Sequence, residues 1–568
     1  MYRKLFVVVL AGLLLALSLS SLMAQEAIPR GGTIVVSEGQ QAPFVENFNP
    51  FTAQEDPTRW KYGTIFEPMV VYNQVTGEPV PWLATAFEWG DDLLSLTYHL
   101  REGVLWNDGE VFNADDVVFT FNLRLSNSAL DPQALVEFVE SVEKVDDYTV
   151  VFHLSKVYTL AAMYIGETFI APEHIWATVE DPVTFTNPNP VATGMLSVVD
   201  QLDEQVLVLC RNENYWQLGE DGLPLPYIDC MRMPMYAGND PANLALLSDE
   251  VDWCANFVPD LDNTYLATDP EHHFYYFWPG GGMVQFYFNT TKAPFNDVGF
   301  RQAVSMAIDY QSVVDIGMYG YAVPGSPTGL GPRYADWVNE EAVALASEMG
   351  LGVYNPEGAA ALLDELGYVD ADGDNWRDNP DGTPITFIVQ VVNGWTDWVT
   401  SVQIISENLQ AIGLNATMES PDFGIWMENL MAGTFDTSIG WGSSTITPWN
   451  AYRDLLYSPL IDADGRANGQ LWHRWTSPEV DELLNQFVGT TDVAEQEAII
   501  DRLQMIFVEN VITVPLFPGP TWYEYNTLRF TGFPTADNYY TQGSAWNWQG
   551  RVLTLLQLHC VDETSCGQ

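Results

Sequence analysis

The chain has 568 residues, 47% of them hydrophobic, and 21 Lys and Arg against 76 Asp and Glu give it a net charge of −55. A chain beyond about 250 to 300 residues outgrows a single core, so two or three lobes are expected. The acidity repels phosphate backbones and anionic headgroups, which excludes nucleic acid as a partner, and is read as solubility in a salty or acidic habitat rather than as a tuned site.

Taken in chain order, Arg3 and Lys4 precede an apolar run from Leu5 to Leu19, and a small-residue stretch ends at Ala24. That is the pattern of an export signal over residues 1–24, removed before Gln25, which sends the chain to the periplasm or outside the cell. Leu22 is larger than the residue usually found at its place, so the cut stays open by a few residues, and an uncleaved anchor is the alternative, for which the run is short. No cysteine for a lipid anchor lies near the junction. No later stretch approaches about 18 consecutive apolar residues, so the mature chain is not expected to span a membrane.

Between Leu94 and Leu100, apolar Leu94, Leu96, Tyr98 and Leu100 alternate with Ser95, Thr97 and His99, the period of a strand with one buried face. Asn107, Asp108 and Gly109 turn the chain. Asn113 then caps a helix with Asp115 and Asp116 in its first turn, where carboxylates favour the positive end of the dipole, and with Val117, Val118, Phe119 and Phe121 on its apolar side. Asn355, Pro356 and Gly367 frame a helix over 356–366. A strand over 385–391 and helices over 398–412, closed by Gly413, and 493–508 continue an α/β alternation. There is no internal repeat and no low-complexity tract.

Six blocks of this chain, at 65–122, 206–219, 225–233, 287–310, 354–368 and 405–418, resemble in order the signature segments of the extracellular solute-binding proteins, family 5. The clearest are the segment from Ile65 to Asn122, the turn at Asn214, Tyr215 and Trp216, and the run Asn289, Thr290, Thr291, Lys292, Ala293, Pro294, Phe295. These receptors capture oligopeptides, oligosaccharides or nickel complexes for ABC importers. The resemblance implies an α/β periplasmic-binding-protein-like two-lobe clamp with an extra third subdomain, the class C or type II arrangement. It implies lobe I from 31–77, 190–288 and 513–568, lobe II inserted at 78–189, and lobe III at 289–512. A monomer that closes about hinges and presents a closed face to importer permease subunits is what such a fold implies.

Five cysteines in an exported chain point to disulfides with one thiol left over. Cys560 and Cys566 sit close together and are the first pair. By resemblance, Cys210 and Cys230 fall on neighbouring strands and are the second, leaving Cys254 free; Cys254 with Cys230 is the competing pair, and buried thiols for these three remain open. No CxxC or HExxH offers metal spacing, and no GxSxG elbow or Walker loop offers catalysis, so no cofactor is expected and an enzyme is the second class of reading. One segment has calcium-loop spacing, with Asp370, Asp372, Asp374, the Trp376 carbonyl, Asp378 and Asp381 at positions 1, 3, 5, 7, 9 and 12. It departs from that pattern at Asn375, where Gly is usual, and at Asp381, shorter than Glu; an acidic solvated connector is the alternative.

Eight of the 20 tryptophans lie between Trp376 and Trp475, which makes the third lobe rich in the flat faces that stack on sugar rings, although most are expected in the core. Trp278, Trp395, Trp441, Trp449 and Tyr523 sit beside Gly, Pro or polar breaks at strand ends and are expected at the ligand, with Ser443 and Asn289. Peptide receptors of this family carry an aspartate shortly after the strand matching 435–441, paired with the ligand amine. Here no acid follows before Asp454. An unpaired buried ammonium costs several kcal/mol, so the expectation is a neutral oligosaccharide of the cello, xylo or manno type, with an oligopeptide as the alternative. Nickel is disfavoured because the seven histidines form no cluster.

Overall fold

The computed structural model describes residues 28–38, 42–52, 58–443 and 445–566; the expected export segment lies outside them. Among the described residues, no helix is long and apolar enough to cross a membrane.

Three sheets organise the chain. The first has seven strands in the order His273–Tyr275, Glu524–Asn526, Trp253–Cys254, Thr33–Ser37, Cys230–Pro234, Val206–Cys210 and Val198–Asp203. Its middle strand, Thr33–Ser37, runs parallel to both neighbours, so distant segments meet on it. The second is a four-stranded antiparallel sheet of Ala84–Trp89, Ser95–Leu100, Thr149–Leu154 and Val139–Asp146. Ser95–Leu100 alternates half-buried with buried residues as its period requires. The third orders Asn415–Glu419, Thr386–Gln390, Thr437–Gly440, Met283–Phe288 and Thr513–Pro518. Met283–Phe288 is buried at every position, the mark of a strand covered on both faces.

Local signals act where the sequence places them. Asn113 accepts the Asp115 N–H at 2.7 Å while its own N–H goes to Asp116 at 3.0 Å, a reciprocal cap that starts the helix Ala114–Ser126. Asn355 caps Pro356–Leu366, which Gly367 ends at φ 87°. The helix expected from 398 begins earlier, spanning Thr396–Ala411. Its start at Trp395 carries no side-chain cap, which is why capping signals did not reveal it.

Cys210 and Cys230 lie directly opposite on antiparallel strands and are joined, Cys560 is joined to Cys566, and Cys254 is a buried free thiol. Buried Glu67 ties two of the motif-bearing segments together. Its carboxyl accepts Trp82 Nε1 at 2.6 Å, Tyr215 OH at 3.0 Å and Trp216 Nε1 at 3.1 Å. The Arg101 guanidinium lies 4.1 Å above the ring of Trp216, which is half-buried and packs against the core.

The chain passes from the seven-stranded to the five-stranded sheet after Tyr275 and returns after Pro518. The two crossings lie side by side. Trp278 pairs with Thr521, and the Gly519 N–H donates to Gly282 O at 2.8 Å. This is the architecture of a two-lobe clamp, and the crossings set the floor of the cleft.

Candidate ligand-binding site

A cavity of about 410 Å³ lies between the two large sheets, against the crossings. The unit built on the five-stranded sheet supplies aromatic faces from Trp395, Trp398, Phe423 and Trp441. Trp395 precedes the helix Thr396–Ala411, and Trp398, one turn on, packs edge to face against it at 5.0 Å between centroids. Trp441 follows the strand Thr437–Gly440, where its carbonyl accepts Tyr287 OH at 2.8 Å. Its ring stands 6.4 Å from Phe423, nearly parallel, and 5.2 Å from the fully buried Trp426 behind it. The platform is thus braced from the core, so little conformational entropy remains to be lost when a ring stacks on it.

The facing unit contributes Glu38, Arg59, Asn239, Asn256 and Phe257, and the returning crossing contributes Pro520 and Trp522. Trp522 packs edge to face on Phe257 at 5.5 Å and on Phe277 at 4.9 Å. Arg59 donates Nε to Glu38 at 2.9 Å, and burial pushes the Glu38 carboxyl up while Arg59 and Arg551 pull it down. Asp397 is the acid of the aromatic side. Burial raises its carboxyl to about 6 against hydrogen bonds from the Trp398 and Asp397 N–H groups and Asn239, and among the described residues no cation acts on it.

Of the residues singled out in the sequence, Trp395 and Trp441 come together in the cavity wall. Trp278 lies in the first crossing, with Arg333 stacked 5.1 Å over its ring, outside the lining. Ser443 is half-buried behind Gly282 and is not part of the lining either. Asn289 is buried and spends its amide on Gly433 O and Phe435 O. Trp449 is buried too, donating Nε1 to Leu484 O at 2.8 Å and packing on Tyr158 where the four-stranded and five-stranded units touch. Tyr523 points into the core, its OH on Pro534 O at 2.9 Å. Its neighbour Trp522, just ahead of the strand Glu524–Asn526, faces the cavity instead. Trp398 was within reach of the sequence, three residues after Trp395 on one helical face; Asp397, Asn239 and Asn256 carried no local signal.

In the acidic loop, one oxygen each from Asp370, Asp372 and Asp374 fall within 4.8 Å of one another, and all three residues are exposed. Asn375 takes φ 76°, the left-handed backbone that position 6 needs. Asp378 is buried and accepts the Ala371 N–H at 2.8 Å, while Asp381 accepts the N–H and hydroxyl of Thr383. The Trp376 N–H goes to Asp374 at 2.8 Å.

The family model of the bacterial extracellular solute-binding proteins, family 5, matches residues 78–461. The chain belongs to this family. A mannohexaose-bound structure described as an oligopeptide ABC transporter, periplasmic oligopeptide-binding protein, from Thermotoga maritima is similar, with TM-score 0.85 and 26% identity over 93% of this chain and 99% of that one. Heme-binding protein A of Haemophilus influenzae is 26% identical over 482 residues, 80% of this chain and 81% of its own length. A periplasmic alpha-galactoside-binding protein of Rhizobium meliloti is 24% identical over 78% of this chain and 69% of its own length. The names of these family 5 relatives cover heme, galactosides and peptides, so membership fixes the scaffold and leaves the ligand to the lining.

Asp397 has a measurable thermodynamic signature. Its carboxyl is raised in the folded state, so the fold holds the proton more tightly than the unfolded chain does. That stability is fully present below the unfolded value near 4 and is lost as pH rises through about 6. A rise of that size corresponds to about 3 kcal/mol. Asp397→Asn should therefore raise the melting temperature at pH 7.5 and leave it unchanged at pH 4, as read by calorimetry. A lower melting temperature at pH 7.5 would mean that the charged carboxylate is a net stabiliser.

Proposed function

We propose that this chain is the receptor of an ABC importer and captures a neutral oligosaccharide of the cello, xylo or manno type between its two main lobes. The carrying observation is the braced aromatic wall of Trp395, Trp398, Phe423 and Trp441 facing Trp522 and Phe257 across one cavity. Flat faces suit the apolar side of a pyranose, and Asn239, Asn256 and Asp397 offer donors and acceptors to its hydroxyls. The lobe on the five-stranded sheet takes in Met283–Phe288 and Thr513–Pro518 and so extends beyond the expected 289–512; it closes on the lobe on the seven-stranded sheet, with lobe II at 78–189 riding alongside and the two crossings flexing as hinges. The closed face then docks on the importer's permease subunits. Trp441→Ala should weaken sugar binding by about 1 to 3 kcal/mol if it stacks on a ring. The measurement is calorimetric titration with cello-, xylo- and manno-oligosaccharides beside di- to pentapeptides.

Asp397 favours a second reading, an oligopeptide receptor. The acid missing after Trp441 is supplied to the cavity from elsewhere in the chain, and it suits a ligand ammonium. Tight peptide binding with no response to any sugar in the same titrations would establish this reading and remove the first.

Two further features go with export. The leader over 1–24 is cleaved, so intact mass of secreted protein should place its start near Gln25; retention of Met1 would count against it. The loop of Asp370, Asp372 and Asp374, with the Trp376 carbonyl, Asp378 and Asp381 completing the expected set, holds a structural calcium that plays no part in ligand capture. Calcium should raise the melting temperature of the parent protein but not of the double variant Asp372→Ala, Asp374→Ala. No rise in the parent would end the idea.

A further inference from the structure

The cleft is bridged by side chains as well as by its two crossings. Asn239, opening the helix Asn239–Leu247 on one side, donates its backbone N–H to Gly394 O at 2.9 Å on the other. Its side-chain amide donates to Thr396 Oγ1 at 3.2 Å and to Asp397 Oδ1 at 3.3 Å. A Cβ on Gly238 would stand 3.0 Å from Gly394 Cα, so the two sides meet there backbone to backbone. Asn239 and Asp397 both line the cavity, and Asp397 is 3% exposed.

We infer that Asp397 couples recognition to closure: its carboxylate accepts the Asn239 amide from the facing lobe and, at the same time, a hydrogen-bond donor of the ligand. The donor is a hydroxyl if the ligand is a sugar and an ammonium if it is a peptide. The inference rests on the cavity being the ligand site, not on the class of ligand.

A carboxylate is acceptor-only, with about four lone-pair sites on two oxygens. With the lobes apart, water fills whatever the backbone N–H groups do not. Closure brings one amide and strips the water from a buried charge, a desolvation that is costly. A ligand donor offsets that cost only in the closed form. Empty closure is therefore held back and liganded closure favoured, a population shift built on one side chain. Burial is also what raises the carboxyl to about 6. Among the described residues, no other acid on the aromatic side lines the cavity. Glu38 and Arg59, paired with each other, line the opposite side with Arg551 behind them. Around Asp397, Asp240 on the facing helix, Asp315 on the turn packed against its own helix and Asp422 at the next helix start are exposed carboxylates.

The test titrates wild type, Asp397→Asn and Asn239→Ala with mannohexaose, cellohexaose, trialanine and tetraalanine at pH 7.5 and 5.0. It adds small-angle scattering of the ligand-free proteins at pH 7.5 and 4.5. Asp397→Asn should weaken a sugar about 10-fold, or a peptide about 100-fold, as loss of a charge-assisted bond implies. Asn239→Ala, which keeps the acid, should weaken either about 3- to 10-fold. Wild-type affinity should fall between pH 7.5 and 5.0, and that of Asp397→Asn should stay flat. Without ligand, Asp397→Asn should be more compact than wild type at pH 7.5 and equal to it at pH 4.5. Binding by both variants within about twofold of wild type, or a pH fall that persists in Asp397→Asn, overturns the inference. If neither sugar nor peptide binds, the proposed ligand class fails by itself and scattering decides: equal compactness of Asp397→Asn and wild type at pH 7.5 overturns the coupling.

Discussion

Everything at the cleft depends on how closely two stretches of backbone approach. A Cβ on Gly281 would lie 1.8 Å from Gly519 O, and one on Gly282 would lie 1.9 Å from Gly442 O. Neither position tolerates a side chain, because the obstacle in each case is main chain and cannot swing away. These glycines bring the outgoing crossing, the returning crossing and the end of the Thr437–Gly440 strand into one layer. Trp441 and Trp522 are aimed from that layer. Any residue larger than glycine would push the layer apart and separate the two halves of the aromatic lining, even though the glycines themselves offer a ligand no side chain.

The cavity is chemically lopsided, and the asymmetry follows from the folds on its two sides. The five-stranded unit offers tryptophans at the end of a strand and at the start of a helix, backed by fully buried Trp426 and Trp472. The seven-stranded unit offers amides and a Glu38–Arg59 pair beside its central parallel strand, where polar groups gather at a strand end. Neither side is a complete site. For the proposed ligand, stacking needs the first and hydrogen bonding the second, so its affinity would depend on the lobes being together.

How much of this was legible in the sequence depended on whether a signal was local. The caps at Asn113 and Asn355 and the alternation at Ser95–Leu100 each act within a few residues, and they held. The pairing of Cys210 with Cys230 needed strand neighbourhood and came through family resemblance. Trp395 and Trp441 reach the cavity wall because both sit at chain breaks beside it. The same rule misplaced Tyr523 relative to Trp522, since a break identifies where a strand begins but not which face each residue takes. It also selected Trp449, which fills a contact between units. Asp397 was invisible for a different reason: an aspartate in the first turn of a helix is ordinarily explained by the dipole, and its partner Asn239 is 158 residues away.

The overall charge of −55 sharpens the question of why an acid is kept at the cavity between the lobes. On the surface, another carboxylate adds a little to solubility and is screened within about 10 Å by salt. Inside the cleft the same group is shielded from salt and from most water, and that burial raises the proton affinity of Asp397. A purely structural role would be met as well by asparagine, which keeps an acceptor for Asn239 without burying a charge. An acid that weighs against the folded state and borders the large cavity between the lobes is better explained by a ligand that completes its hydrogen bonding. Glu67 is buried as deeply and burial pushes its carboxyl up to about 7, but neither it nor its donors Trp82, Tyr215 and Trp216 line the cavity, so its role is structural.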